Sequence, residues 1–109
     1  MNSKEKKIIS EIHVLVKKAS IGFSEDDVFS NHILSVRDYS IRLARKYDAD
    51  MFVVVAAAYL HDIYHLQTHN HEIHEIEGAK FADRYLRKFD IAEDRIRLIC
   101  DCILNHRGH

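Results

Sequence analysis

Apolar residues recur at helical spacing along most of this chain. From Ser3 to Ala19, the residues Ile8, Ile12, Leu15, Val16 and Ala19 form one stripe, and Gly22 breaks the pattern before a short acidic segment from Ser24 to Asp27. A second helix is expected to start near Ser30 or Asn31, both good N-caps. Stepping about 100° per residue from His32 gathers Leu43, Val36, Tyr47 and Tyr39 within about 60° of it. Asp38, Arg42 and Arg45 fall opposite, so His32 is expected on the buried face. A third helix runs from Asp50, an N-cap, to about Tyr64. It is apolar nearly all round and should be central. Val53-Val54-Val55 would suit a buried strand, but Ala56-Ala57-Ala58 and the length of the segment favour helix. Gln67 to Asn70 reads as a polar loop. A fourth helix, from about Glu72 to Lys88, places His74 on a face with Gly78, Ala82, Tyr85 and Phe89. Asp90 and Glu93 resemble a capping box. The fifth helix runs to about His106, which shares its inner face with Ile96, Ile99 and Ile103. The expected fold is all-α, a compact bundle of about five helices forming a single domain over residues 1–109.

Composition narrows this picture. The chain has 109 residues, enough for one domain and too few for two. It has no proline and three glycines, as long helices with short loops require. A net charge of −1 argues against a large nucleic-acid footprint, and Lys4, Lys6 and Lys7 read as a solvated helix face. The longest apolar run is far short of a membrane span, and no charged leader with an apolar segment and cleavage site is visible. A cytoplasmic location with no membrane partner is the expectation. Cys100 and Cys102 would point about 200° apart on a helix, which is poor geometry for a mutual disulfide. Buried thiols are expected instead.

The anomaly is histidine, with nine copies. His61-Asp62 closes the apolar run Phe52 to Leu60. An ionisable pair at the tip of such a segment is costly without partners or a metal. A single inward histidine is ordinarily a hydrogen-bonded core residue, and a plain helical domain with such histidines is the simplest alternative. Three inward histidines on different helices, His32, His74 and His106, together with His61-Asp62, fit a metal site built inside a bundle. His61 and His65 also have the i, i+4 spacing of the zinc-protease motif H-E-x-x-H, but Asp62 replaces the glutamate and has a shorter reach. His71-Glu72-Ile73-His74 fails that spacing. His65, His69 and His71 are expected to be solvated or to face a substrate, His13 to be structural, and His109 is uninformative.

The ordered set resembles the HD-domain metal-dependent phosphohydrolases over about Asn31 to His106. The similarity lies in His32-Ile-Leu-Ser-Val36 opening one helix and in Ala56-Ala-Ala-Tyr-Leu-His61-Asp62-Ile63 ending the next. Between them, Lys46-Tyr-Asp-Ala-Asp50 leads into an apolar helix. His74 stands four residues before Gly78-Ala79, and His106 three after Ile103. The resemblance implies that His32, His61 and Asp62 hold a first metal. It also implies that Asp62 bridges to a second ion on His74 and His106. The cofactor would be one or two divalent transition-metal ions, Mn, Fe, Zn, Co or Ni. Asp62 and His61 would be the catalytic residues. The implied chemistry is metal-assisted attack of water on a small phosphorylated substrate, a nucleotide or related phosphate ester.

Two departures qualify that implication. The family's last ligand is an aspartate beyond the position of His106, and the sequence stops three residues after it. Asp101 lies on the outward side and cannot substitute. The family's C-terminal helices are therefore expected to be missing, and apolar surface left uncovered by them should promote a homo-oligomer. Secondly, many members carry Gly-Lys after the His-Asp pair where this chain has Tyr64-His65. The lack of proline also rules out the Gly-Tyr-Pro signature of the cyclic-dinucleotide branch. The alternative function is a catalytically impaired metal-binding module with a regulatory or oligomerising role.

Overall fold

The computed structural model describes residues 1–21, 29–63 and 74–105, with His74 described by its backbone alone. The expected loop Gln67–Asn70 and His65, His69, His71, His106 and His109 lie outside the described residues. Within them the architecture is all-α. Helix α1 spans Ser3–Ser20 and a π-helical turn, Phe29–Ile33, leads into α2 at Leu34–Tyr47. Helices α3 at Met51–Leu60, α4 at His74–Leu86 and α5 at Glu93–Asn105 complete the set. No described helix is long and apolar enough to cross a membrane.

Helix α3 is central, as its all-round apolar character requires. Every residue from Phe52 to Leu60 except Val54 is buried. Ile8, Ile12 and Val16 of α1 meet it on one side, and Ile96, Ile99 and Ile103 of α5 on another; all belong to one core with Ala82 and Leu86 of α4. The valine triplet is helical because the following alanines add helix propensity and Val53 and Val55 are buried in the core around it.

One end of this core is held by charge. The Asp50 carboxylate caps α3 by accepting from the Val53 amide at 3.2 Å, a contact worth about 1 kcal/mol. It also accepts from Arg95 of α5 at 2.9 and 3.2 Å. Arg95 further donates to Glu5 of α1 at 2.6 Å, and Glu5 forms a capping box with Asn2. The guanidinium lies 4.7 Å from the centre of the Phe52 ring. The first turns of α1, α3 and α5 are thus joined at one point, and these three helices run away from it side by side.

Four expectations need correction. The capping box at Asp90 and Glu93 does not form: Asp90 accepts from Lys4 at 2.9 Å, Glu93 accepts from Arg87, and α5 begins at Glu93. Helix α3 ends at Leu60 rather than Tyr64, and at that end the His61 ring donates to the Ala58 carbonyl of the last turn. The inner face of α2 is also misplaced. Ile33 and Ala44 are buried and Ile41 partly so, whereas Tyr39 and Tyr47 are 57% and 69% exposed, Leu43 is exposed, and so is His32. His32, Tyr39, Leu43 and Tyr47 do share a face, but it is the outer one; the core takes the side of Ile33, Ile41 and Ala44, about 100–180° round the helix from His32. The cysteines, expected buried, are not fully so: Cys100 is half-buried and Cys102 exposed, and both are free thiols; burial pushes the Cys100 thiol up to about 11.

His13 is structural, as expected. Arg37 donates to the Tyr59 hydroxyl at 2.9 Å, and that hydroxyl lies 2.8 Å from His13 Nδ1. A guanidinium can only donate, so Tyr59 donates onward and Nδ1 accepts. Burial holds the His13 imidazole below its ordinary value of 6.5, helped by the charges of Arg37 and Lys17. The Phe29 ring also packs edge-on against it. A depressed imidazole favours the neutral folded form. It therefore contributes stability that is present above the unfolded pKa and lost as pH falls through the folded one. The wild type is expected to lose more stability than His13→Asn between pH 7 and pH 5, measured by urea denaturation. Parallel losses in the two proteins would show that His13 has no such role.

Candidate metal centre

The His-Asp pair sits in the turn that leaves α3, and His32 in the π turn that enters α2. Because α2 and α3 are antiparallel neighbours, these two turns meet. His32 Nε2 lies 3.0 Å from Asp62 Oδ2, and His61 Nε2 lies 3.1 Å from the same oxygen. One ligand atom from each residue falls within 4.8 Å of the other two. The two imidazole rings are 5.4 Å apart at their centres. The side chains grade from inside to outside: His61 is 9% exposed, Asp62 21% and His32 51%.

The protonation pattern follows from the partners. His61 Nδ1 donates to the Ala58 carbonyl at 2.6 Å, and a carbonyl can only accept. In neutral His61 the lone pair is therefore on Nε2, the atom directed at Asp62. Burial works against an imidazolium there, but the Asp62 carboxylate and the Ala58 carbonyl outweigh it and raise the pKa of His61. Asp62 is in the converse position. Burial opposes its charge, yet hydrogen bonds from His61 and His32 hold it well below the usual carboxylate range. The carboxylate is thus charged across the whole neutral range.

This donor set fits a divalent transition metal. Two ligands at right angles on a cation with bonds of about 2.1 Å are about 3.0 Å apart, the spacing Asp62 Oδ2 has to each histidine. Two imidazoles and a carboxylate suit Zn, Mn, Fe, Co or Ni and do not choose among them. The Nδ1 bond to Ala58 supplies the second-shell contact that fixes a ligating histidine's tautomer.

Helix α4 passes over the same turn. A Cβ on Gly78 would lie 3.9 Å from the His61 carbonyl oxygen and 3.7 Å from Ile103 of α5. Position 74 is one helical turn before Gly78 on that face of α4, and position 106 follows the last described residue of α5. The structure therefore assembles three of the five sequence-predicted ligands. The side chains of His74 and His106 lie outside the description. Sequence reasoning missed Tyr59 and Arg37 beside the site; a tyrosine inside an apolar run, needing a partner for its hydroxyl, was the available signal.

A family model described as HD domain matches residues 29–109, about three-quarters of the chain. No curated protein and no solved structure matched. The matched segment begins at the π turn that carries His32 and takes in the His61-Asp62 turn and all later helices. The chain therefore belongs to the HD-domain family, whose members are in general metal-dependent phosphohydrolases.

Proposed function

We propose that this protein is a metal-dependent phosphohydrolase acting on a small phosphorylated substrate, a nucleotide or related phosphate ester. The observation that carries the proposal is the convergence of His32, His61 and Asp62 on one point at the α2–α3 end of the bundle. A divalent ion held there would supply Lewis acidity toward a phosphoryl oxygen and acidify a water. Asp62 places a permanent negative charge between two imidazoles. His61, fixed by Ala58, keeps one nitrogen aimed at that charge. His32 stands on the solvent side, where a substrate would approach. His74 and His106 are the proposed ligands of a second ion, with Asp62 as the bridge.

Metal analysis of the purified protein should find Mn, Fe, Zn, Co or Ni. Phosphatase assays with added Mn²⁺, Co²⁺ or Mg²⁺ should then show turnover of nucleotides or simple phosphate esters. Bound metal with no turnover on any phosphate ester would replace this reading with a non-catalytic metal-binding module. Absence of both metal and any stability change on adding it would sink both.

A further inference from the structure

We infer that Tyr59 is a positioning residue for the metal centre, fixing His32 at its distance from His61 and Asp62 through two tethers. The inference rests on the metal-site reading above.

His32 is the least embedded of the three donors, and its setting comes from the residues on either side. Upstream in the π turn, Phe29 is buried and packs edge-on against the His13 ring, with centres 5.0 Å apart and planes at 87°. The His13 ring packs in turn against Tyr59, with centres 5.5 Å apart, and accepts the Tyr59 hydroxyl at 2.8 Å. Downstream on α2, Arg37 donates to that same hydroxyl at 2.9 Å. Asp38 accepts from the Nε and NH2 groups of Arg37, which fixes the plane of the guanidinium. The segment carrying His32 is therefore tied down before and after it, and both ties end on one oxygen atom. Tyr59 is buried in α3, two residues before His61. A displacement of the π turn relative to the His-Asp turn must break the Arg37 bond, the His13 bond or the Phe29 packing.

The bond directions make the device specific to the hydroxyl. Arg37 donates, Tyr59 accepts and donates onward, and His13 accepts. Phenylalanine at position 59 would retain the ring and its packing but remove both ties together. Contacts made directly to a ligand change metal affinity by about 10- to 100-fold when lost, and Tyr59 acts one step further out, so the lower end of that range is expected.

The test is Tyr59→Phe in the intact chain, titrated with Co²⁺ and followed by calorimetry and by the visible absorption of the bound ion. Affinity is expected to fall about tenfold, with a changed Co²⁺ spectrum. His13→Asn places an amide oxygen near the position of Nδ1, so it should retain more affinity than His13→Leu. A second readout needs no metal. Nuclear Overhauser contacts between the His32 and His61 rings should be present in the metal-free wild type and lost in Tyr59→Phe. If the wild type binds no Co²⁺, the metal reading fails and the ring contacts alone decide the positioning role. Unchanged Co²⁺ affinity and spectrum in a folded Tyr59→Phe would overturn the inference, as would unchanged ring contacts. Should Tyr59→Phe fail to fold, the comparison of His13→Asn with His13→Leu decides it by the same two readouts, equal values overturning the inference.

Discussion

Asp62→Ala should abolish the protein's response to metal. In the wild type, a divalent ion at one hundred times its dissociation constant is expected to add about 2.7 kcal/mol of stability. For a chain of this size that raises the thermal midpoint by on the order of 10 °C. The variant lacks the one oxygen that lies within 3.1 Å of both histidines. It should show almost no such shift, and phosphatase turnover should fall to background. Without metal its fold should survive, because the lost carboxylate leaves His61 free to become neutral while still donating to Ala58. A variant that kept the full thermal shift would place the ion elsewhere. The pair of measurements separates a missing site from a missing fold, which activity alone cannot do.

Phe52→Ala should have the largest effect on stability itself. The ring is 1% exposed and sits in the first turn of the central helix, beneath the Arg95 guanidinium. Truncating a buried phenylalanine costs about 3–5 kcal/mol, a large share of the 5–15 kcal/mol typical of a whole domain. The loss also removes the surface on which Arg95 rests while it binds Asp50 and Glu5. Urea denaturation should show the midpoint falling with little change in slope. The residual folded protein should still bind metal, because Phe52 and the His-Asp pair stand at opposite ends of α3. A loss below about 1 kcal/mol would mean that the surroundings collapse into the vacated space.

The sequence revealed the site more clearly than it revealed the reasons the site holds together. His61-Asp62 stood out because an ionisable pair closes an otherwise apolar run, and burial of that run explains why the pair needs partners. The helical angles grouped His32 with Tyr39, Leu43 and Tyr47, but that face was expected to be buried and is the exposed one. The partnership of His32 with Asp62 comes from its place in the π turn that enters α2, beside the turn that leaves α3. Apolar character alone had assigned Tyr39, Leu43 and Tyr47 to the core side of α2, where Ile33, Ile41 and Ala44 sit instead. The Arg95, Glu5 and Asp50 contact could not be read: Asp50 was legible as an N-cap, but Arg95 and Glu5 alone look like parts of solvated faces, and their union depends on three helices starting together. Asp90 and Glu93 have the spacing of a capping box, yet the helix begins at Glu93 itself, and Asp90 accepts from Lys4 instead.

The Arg95 junction gives the bundle a fulcrum. Helices α1, α3 and α5 are pinned where they begin, and α3 delivers His61 and Asp62 at its far end, about 15 Å along a ten-residue helix. A tilt of about 4° about that pivot moves the far end by about 1 Å. That is twice the roughly 0.5 Å within which a binding constellation must be held. Small rotations that the pinned end scarcely registers are thus magnified where the ligands meet, and the leverage that keeps the core compact also sets how finely the jaws must close.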